Sequence, residues 1–235
     1  MGQRRCYLVC GPGSHGNRMS AVDTSWGRLA RAEFCWLPEV GMGHFPIADN
    51  RVYDQSYFDK YVGYAGTEMG KKINEFRVAL LSSVWLPKDR VLDVGIGCGS
   101  FVSAARGAGI ECCGYDCNPA ARRWLAEREW EGKLTEGFQV VTFWDSLEHM
   151  EDPWQALRSV GRVALVSLPV AADGESWLRS KHFRKDEHRW YWNKVGFERF
   201  ASSCGFRVEG VSDQESKLGR DSILTFTLRL NVDHA

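Results

Sequence analysis

Short apolar runs alternate along this chain with stretches of helical period. Val91, Leu92 and Val94, then residues 110–115, 138–143 (FQVVTF) and 163–168, read as strands buried on both faces. Residues 206–211 read as a further strand. Residues 223–230 alternate Ile223, Thr225 and Thr227 against Leu224, Phe226 and Leu228. Between the strands, residues 71–84 place Ile73, Phe76, Val78, Ala79, Leu80 and Leu81 at helical spacing. Residues 101–107, 153–160, 175–181 and 193–204 also read as helices. Asn118-Pro119 opens another, with the asparagine as cap and the proline at the first position; it should run to about Trp130 and stop at Gly132. Residues 41–46 read as a loop. Strands alternating with helices in this way predict an α/β chain with a doubly wound parallel sheet.

Composition narrows the class without naming a function. The 235 residues suffice for one sizeable core, and 44% hydrophobic with 26% charged residues is ordinary for a globular protein. Thirty Lys and Arg balance thirty Asp and Glu, which leaves no charge footprint for bulk nucleic acid or an anionic membrane. No apolar run approaches a membrane span, and the apolar part of the N-terminus is too short for a secretory signal. The eight scattered cysteines point to a reduced, cytoplasmic protein. Cys6-x-x-x-Cys10 lacks the second pair of a zinc site. Gly11 to Gly16 has the spacing of a phosphate loop, but Asn17 stands where the lysine should be, which argues against a nucleoside triphosphate site.

The chemistry concentrates in residues 91–116. The strand 91–94 contains Asp93 and runs straight into Gly95-Ile96-Gly97-Cys98-Gly99, a loop whose backbone can turn tightly and approach a ligand. A second strand follows and ends at Asp116, placed as an acid that holds a ribose. The dinucleotide fingerprint would need glycine at position 100, which is Ser100. That disfavours a nicotinamide-linked oxidoreductase.

In this order the glycine loop, Asp93 and Asp116 resemble motif I and the following acid of class I S-adenosylmethionine (SAM) methyltransferases. Leu147-Glu148-His149 after the fourth strand resembles the ubiquinone-biosynthesis O-methyltransferase group. The resemblance covers residues 53–230. It implies a Rossmann-like, seven-stranded sheet with the last strand antiparallel and helices on both faces. It also implies an N-terminal extension over 1–50 and a SAM-dependent methyltransferase domain over 51–235.

For the site, the resemblance assigns SAM to Asp93, Gly95, Gly97, Gly99, Asp116, Cys117, Asp145 and Ser146. The function expected is methyl transfer to an unidentified O or N nucleophile of a small-molecule or nucleotide-type acceptor. A non-catalytic SAM-binding or adaptor protein is the alternative. His149, His182 and His188 are the candidate bases, because histidine titrates near neutrality; a purely structural role for each stays open. Tyr57, Tyr61 and Tyr64 are lid candidates, with an aromatic satellite core as the other reading. No metal is expected. Asp145, Glu148, His149 and His188 are the residues that would carry one, by resemblance to the Glu-x-x-Glu-His and distant His of small-RNA 2′-O-methyltransferases. Asp145 has a shorter reach than the glutamate of that pattern.

Overall fold

The computed structural model describes residues 34–46 and 53–231. Cys6, Cys10 and the 11–17 loop lie outside the described residues. The central sheet is mixed and has six strands: β3 (Val91–Val94), β4 (Cys112–Tyr115), β5 (Val140–Trp144), β6 (Val163–Pro169), β8 (Phe206–Ser212) and β9 (Ile223–Leu230), in the order β4-β3-β5-β6-β9-β8. β3 pairs in parallel with β4 and β5, and β5 with β6; β9 runs antiparallel to both its neighbours.

The expected seventh strand is not there among the described residues. Beyond β4 the chain makes one parallel bridge, Gly114 to Glu131, and then turns through a 3-10 segment, Leu134–Glu136. The cause is local. α4 (Pro119–Ala126) stops short of Trp130, where the pattern put its end. The amide of Trp130 reaches back to the Leu125 carbonyl, and Glu129 takes a left-handed φ of 56°. Gly132 is then packed close to Phe138, Cys113 and Leu92, and the residues that follow form the 3-10 turn rather than a strand.

Side chains alternate across the buried strands and so supply two cores. Val91, Val140, Val163 and Leu165 face Leu81 of α2 (Glu68–Val84), Phe101 and Val102 of α3 (Ser100–Gly107) and Leu125 of α4. Leu92, Val94, Val141, Phe143, Ala164 and Val166 face Leu157 of α5 (Pro153–Arg158) and Phe197 and Phe200 of α7 (Lys194–Ser203). Helices therefore cover both faces, as the strand pattern requires.

A second, three-stranded sheet was not foreseen. Residues 41–46, expected as a loop, contain β2 (Met42–His44), which pairs antiparallel with β1 (Cys35–Leu37) and with β7 (Trp190–Trp192). Three residues are too few for a periodic signal, and the partner lies about 150 residues away in sequence. The turn before β2 is locked onto α7. Asn193 caps that helix through Gly196, and its own amide donates to the Gly41 carbonyl. A Cβ on Gly196 would overlap that carbonyl. Gly196→Ala should therefore pry β1–β2 off α7 at a cost of about 1–3 kcal/mol. Chemical denaturation checks this, and an unchanged midpoint would contradict the docking.

Candidate active site

The glycine loop leaves the carboxyl end of β3 with Gly95, Gly97 and Gly99 at φ of 81°, 58° and 76°, a region that other residues enter at a cost. Two of the three are also fixed by packing. A Cβ on Gly95 would stand 2.5 Å from the Cβ of Ser146, and one on Gly99 would overlap the Trp124 ring. Asp116, at the end of β4, is buried. One of its oxygens accepts from the Gly97 amide at 3.1 Å and the other from the Asn118 amide at 2.8 Å. Burial raises its carboxyl, and the two amides pull it back. Cys117 beside it is exposed. Asp93 lies beneath the loop inside β3, 1% exposed, and accepts from Thr142 Oγ1 at 2.6 Å. Burial pushes it up to about 7.

Beyond β5 the chain turns sharply. Asp145 has a φ of 55°, and its carboxylate pairs with Arg77 Nη2 at 3.2 Å and Arg220 Nη1 at 2.8 Å. Burial would raise this acid, but the two guanidinium groups outweigh it and hold it at about 2. Glu215, fully buried, accepts from Arg77 at 2.8 and 2.9 Å, from Ser167 Oγ at 2.8 Å, and from Arg220. Ser146 then closes on the glycine loop, donating from Oγ to the Val94 carbonyl at 2.5 Å.

The 3-10 turn Leu147–His149 follows. His149 Nδ1 lies 2.8 Å from the Glu187 carbonyl; since a carbonyl only accepts, the proton of the neutral ring sits there and Nε2 keeps its lone pair. Nε2 is 4.0 Å from Glu148 Oε1. Glu148 is buried, and among the described residues neither of its carboxylate oxygens has a hydrogen-bond partner. His188 meets the His149 ring edge-on at 4.6 Å between centroids, and its Nδ1 also lacks a hydrogen-bond partner among the described residues. Burial and Asp145 push Glu148 well up, while burial pushes His188 well down.

Of the three candidate histidines, two thus come together and one does not. His182 stands apart, with Nε2 at 2.8 Å from the Asp221 carbonyl. Glu148, His149 and His188 each offer a ligand atom, and these atoms lie within 4.8 Å of one another. Asp145 is outside that group, held by its arginines. Two unpartnered, buried carboxylate oxygens beside two imidazoles are a donor set that a divalent metal fits.

On α1 (Gln55–Ala65), the Tyr57 and Tyr61 hydroxyls are 3.2 Å apart. The Tyr61 ring stands over Gly97, 3.6 Å from where a Cβ would be. Trp190 packs inward against His44 and Trp154 and donates to the Met150 carbonyl at 2.9 Å. Pattern reading missed Arg77, Glu215 and Arg220. For Arg77 a signal existed, a lone cation between Phe76 and Val78 of an apolar helix. Glu215 and Arg220 sit in a short helix and a turn that no periodicity marks.

Comparison with known proteins adds a family and a fold. Residues 61–211 match the methyltransferase domain family. Among solved structures, a magnesium protoporphyrin IX methyltransferase from Synechocystis with bound S-adenosylhomocysteine superposes with a TM-score of 0.55 at 15% identity, covering 76% of this chain and 96% of that one. A 1,6-didemethyltoxoflavin N1-methyltransferase from Burkholderia thailandensis superposes at 0.53 and 14%, covering 81% and 96%. A SAM-dependent methyltransferase from Thermotoga maritima gives 0.53 and 14%, covering 75% and 97%. At these identities the likeness is one of fold. Comparison with curated proteins finds no significant relative.

Asp93 carries a pH signature. Its acid is raised from 3.8 to about 7, so the folded chain holds a proton that the unfolded chain has released. Stability therefore falls as pH rises from about 4 to 7, by up to about 4 kcal/mol. Asp93→Asn should flatten that decline. Denaturation curves measured across the window test it, and parallel wild-type and variant profiles would refute the assignment.

Proposed function

The chain belongs to the methyltransferase domain family, and on that premise we propose that it binds SAM at the glycine loop and transfers the methyl group to an O or N nucleophile of a small-molecule or nucleotide-type acceptor. One observation carries the reading. Three left-handed glycines, a helix start at Ser100 and the Asp116 carboxylate converge on one side of the loop, and the Gly97 amide already orients that carboxylate. The backbone amides at the start of α3 suit the methionine carboxylate. The Gly97 and Asn118 amides fix the Asp116 carboxylate, whose remaining acceptor capacity would serve the ribose hydroxyls. Cys117 flanks it, Ser146 and Asp145 close the loop from the β5 side, and Asp93 supports it from below.

The sulfonium needs no activation, so the protein's tasks are alignment and, for a protonated nucleophile, removal of a proton. His149 is placed for the second task, with Nε2 unprotonated in the neutral ring and the ring held by Glu187. His188 backs it. The non-catalytic alternative gives no use for a buried carboxylate and two imidazoles at the strand ends. The narrower likeness to ubiquinone-biosynthesis O-methyltransferases rests on Leu147-Glu148-His149 alone. The division into an extension, 1–50, and a methyltransferase domain, 51–235, and a cytoplasmic site of action, belong to the same proposal. Among the described residues no helix is long and apolar enough to cross a membrane.

A second reading is favoured by the unpartnered oxygens of Glu148. Glu148, His149 and His188 would then hold a divalent metal, which when bound lowers the proton affinity of an acceptor hydroxyl.

Asp116→Ala removes a charge-assisted pair of hydrogen bonds and should weaken SAM binding by about 2–3 kcal/mol, some 30- to 150-fold. Calorimetry with SAM measures this, and unchanged affinity would sink the site. For the metal reading, the expected result is a near-stoichiometric divalent metal in the purified protein, with turnover and metal content lost together in His149→Ala. Metal-free protein with full turnover in chelator would end it and leave His149 as base.

A further inference from the structure

The strand-end face continues beyond the site just described into a cleft of about 550 Å³. It opens at the carboxyl end of β6, between Val170, Ser176 on α6 (Gly174–Arg179), the following residues Ser180 to His182, and the turn with Asp221 and Ser222. That turn has two sides. Arg220 points to Asp145 and Glu215. Asp221, the next residue, faces the cleft: its carboxylate takes Lys181 Nζ at 2.8 Å, and its carbonyl takes His182 Nε2 at 2.8 Å. Gly219 and Ser222 are both left-handed, at φ of 106° and 65°. For a serine that conformation costs on the order of 1 kcal/mol and persists only where surrounding contacts impose it. One strained turn therefore forms both the wall of the cleft and the clamp on Asp145, and the cleft opens at the end of β6, which neighbours β5 and through it β3 in the sheet.

The chemistry of the lining is uncharged in sum. Lys181 and Asp221 neutralise each other across the mouth. Burial lowers the proton affinity of His182, which is therefore neutral at pH 7. Its Nε2–H is given to a carbonyl, so Nδ1 carries the lone pair. Arg220 is turned away. What remains toward the cleft is the hydroxyls of Ser176, Ser180 and Ser222 and an imidazole acceptor. An anion entering here would have to break the Lys181 pair and then lie against the freed Asp221 carboxylate.

We infer that this cleft holds the methyl acceptor, and that the acceptor is an uncharged, hydroxyl-bearing small molecule rather than a carboxylate or a nucleotide. Its volume lies in the range of about 300–1,000 Å³ usual for small-molecule sites. The inference rests on the methyltransferase reading and selects among the acceptors that reading admits. His182 becomes a hydroxyl-binding residue of the cleft, separate from His149.

The test uses the full chain saturated with S-adenosylhomocysteine and a pair of probes differing in one charge, methyl 3,4-dihydroxybenzoate and 3,4-dihydroxybenzoate, with adenosine monophosphate as a third. Ligand-observed NMR should show the ester binding and the acid bound about fivefold more weakly, the scale of an exposed ion pair. Ser176→Trp fills the cleft and should abolish ester binding, while SAM affinity by calorimetry stays unchanged. Asp221→Asn leaves the Lys181 charge unmatched and should bring the acid level with the ester or ahead of it. The proposal is overturned if wild type prefers the acid or the nucleotide, if the ester does not bind although SAM does, or if Ser176→Trp binds the ester as before. Failure of SAM itself to bind would instead remove the parent reading.

Discussion

The site hangs on a buried cluster of two arginines and two carboxylates. Arg77 comes from α2, Asp145 from the end of β5, and Glu215 and Arg220 from the segment before β9. Ser167 of β6 and Thr225 of β9 extend the network, with Ser167 donating to Glu215 and lying 2.7 Å from Thr225. Glu215 is fully buried and the other three keep only part of their water, so the charges are tolerated because they are matched and hydrogen-bonded. Each member therefore constrains the others, and the cluster fixes three strand ends and one helix relative to each other. It also holds Asp145 in a left-handed turn that an aspartate enters less readily than glycine. That turn aims Ser146 at the glycine loop and delivers Glu148 and His149 to the opposite side. Loss of one arginine would leave an unmatched carboxylate at the point where both halves of the site meet.

The second support is remote in sequence. β7 is the edge on which the N-terminal strands β1 and β2 assemble, and the residues just before it reach the site. The Arg189 amide donates to the Glu148 carbonyl, and the Phe45 amide donates to the Arg189 carbonyl. His188 is thereby set against His149. A buried wall of Trp190, Tyr191 and Trp192 stands behind the pair. The small sheet is thus a bracket for the two imidazoles, and its aromatic content serves packing more than capture of a ligand. Tyr61 is the α1 aromatic whose ring stands over Gly97.

Much was legible along the chain because the relevant physics is local. Continuous apolar runs, the Asn118-Pro119 cap and the glycine spacing each depend on neighbours a few residues away. They were enough to set the α/β alternation, the loop and the acid at the end of β4. Where the pattern erred, a tertiary contact had overridden it. The helix after Asn118 ends early because Glu129 accepts a left-handed turn, and the strand that the family resemblance implied after it is reduced to one bridge. β2 was invisible because its pairing partner is distant.

The sequence by itself therefore determined the fold class, the glycine loop with Asp116, and the list of polar residues at the strand ends. Only the tertiary structure decided which of those residues act together. Asp145 sits three and four residues from Glu148 and His149, close enough to suggest one cluster, yet it is claimed by Arg77 and Arg220, whose positions relative to it no spacing records. His182 and His188 look equivalent in the sequence, and folding sends one to the cleft and the other to His149. A buried charge goes to whichever partner the fold brings within reach, and that partner is set by three-dimensional packing, not by separation along the chain.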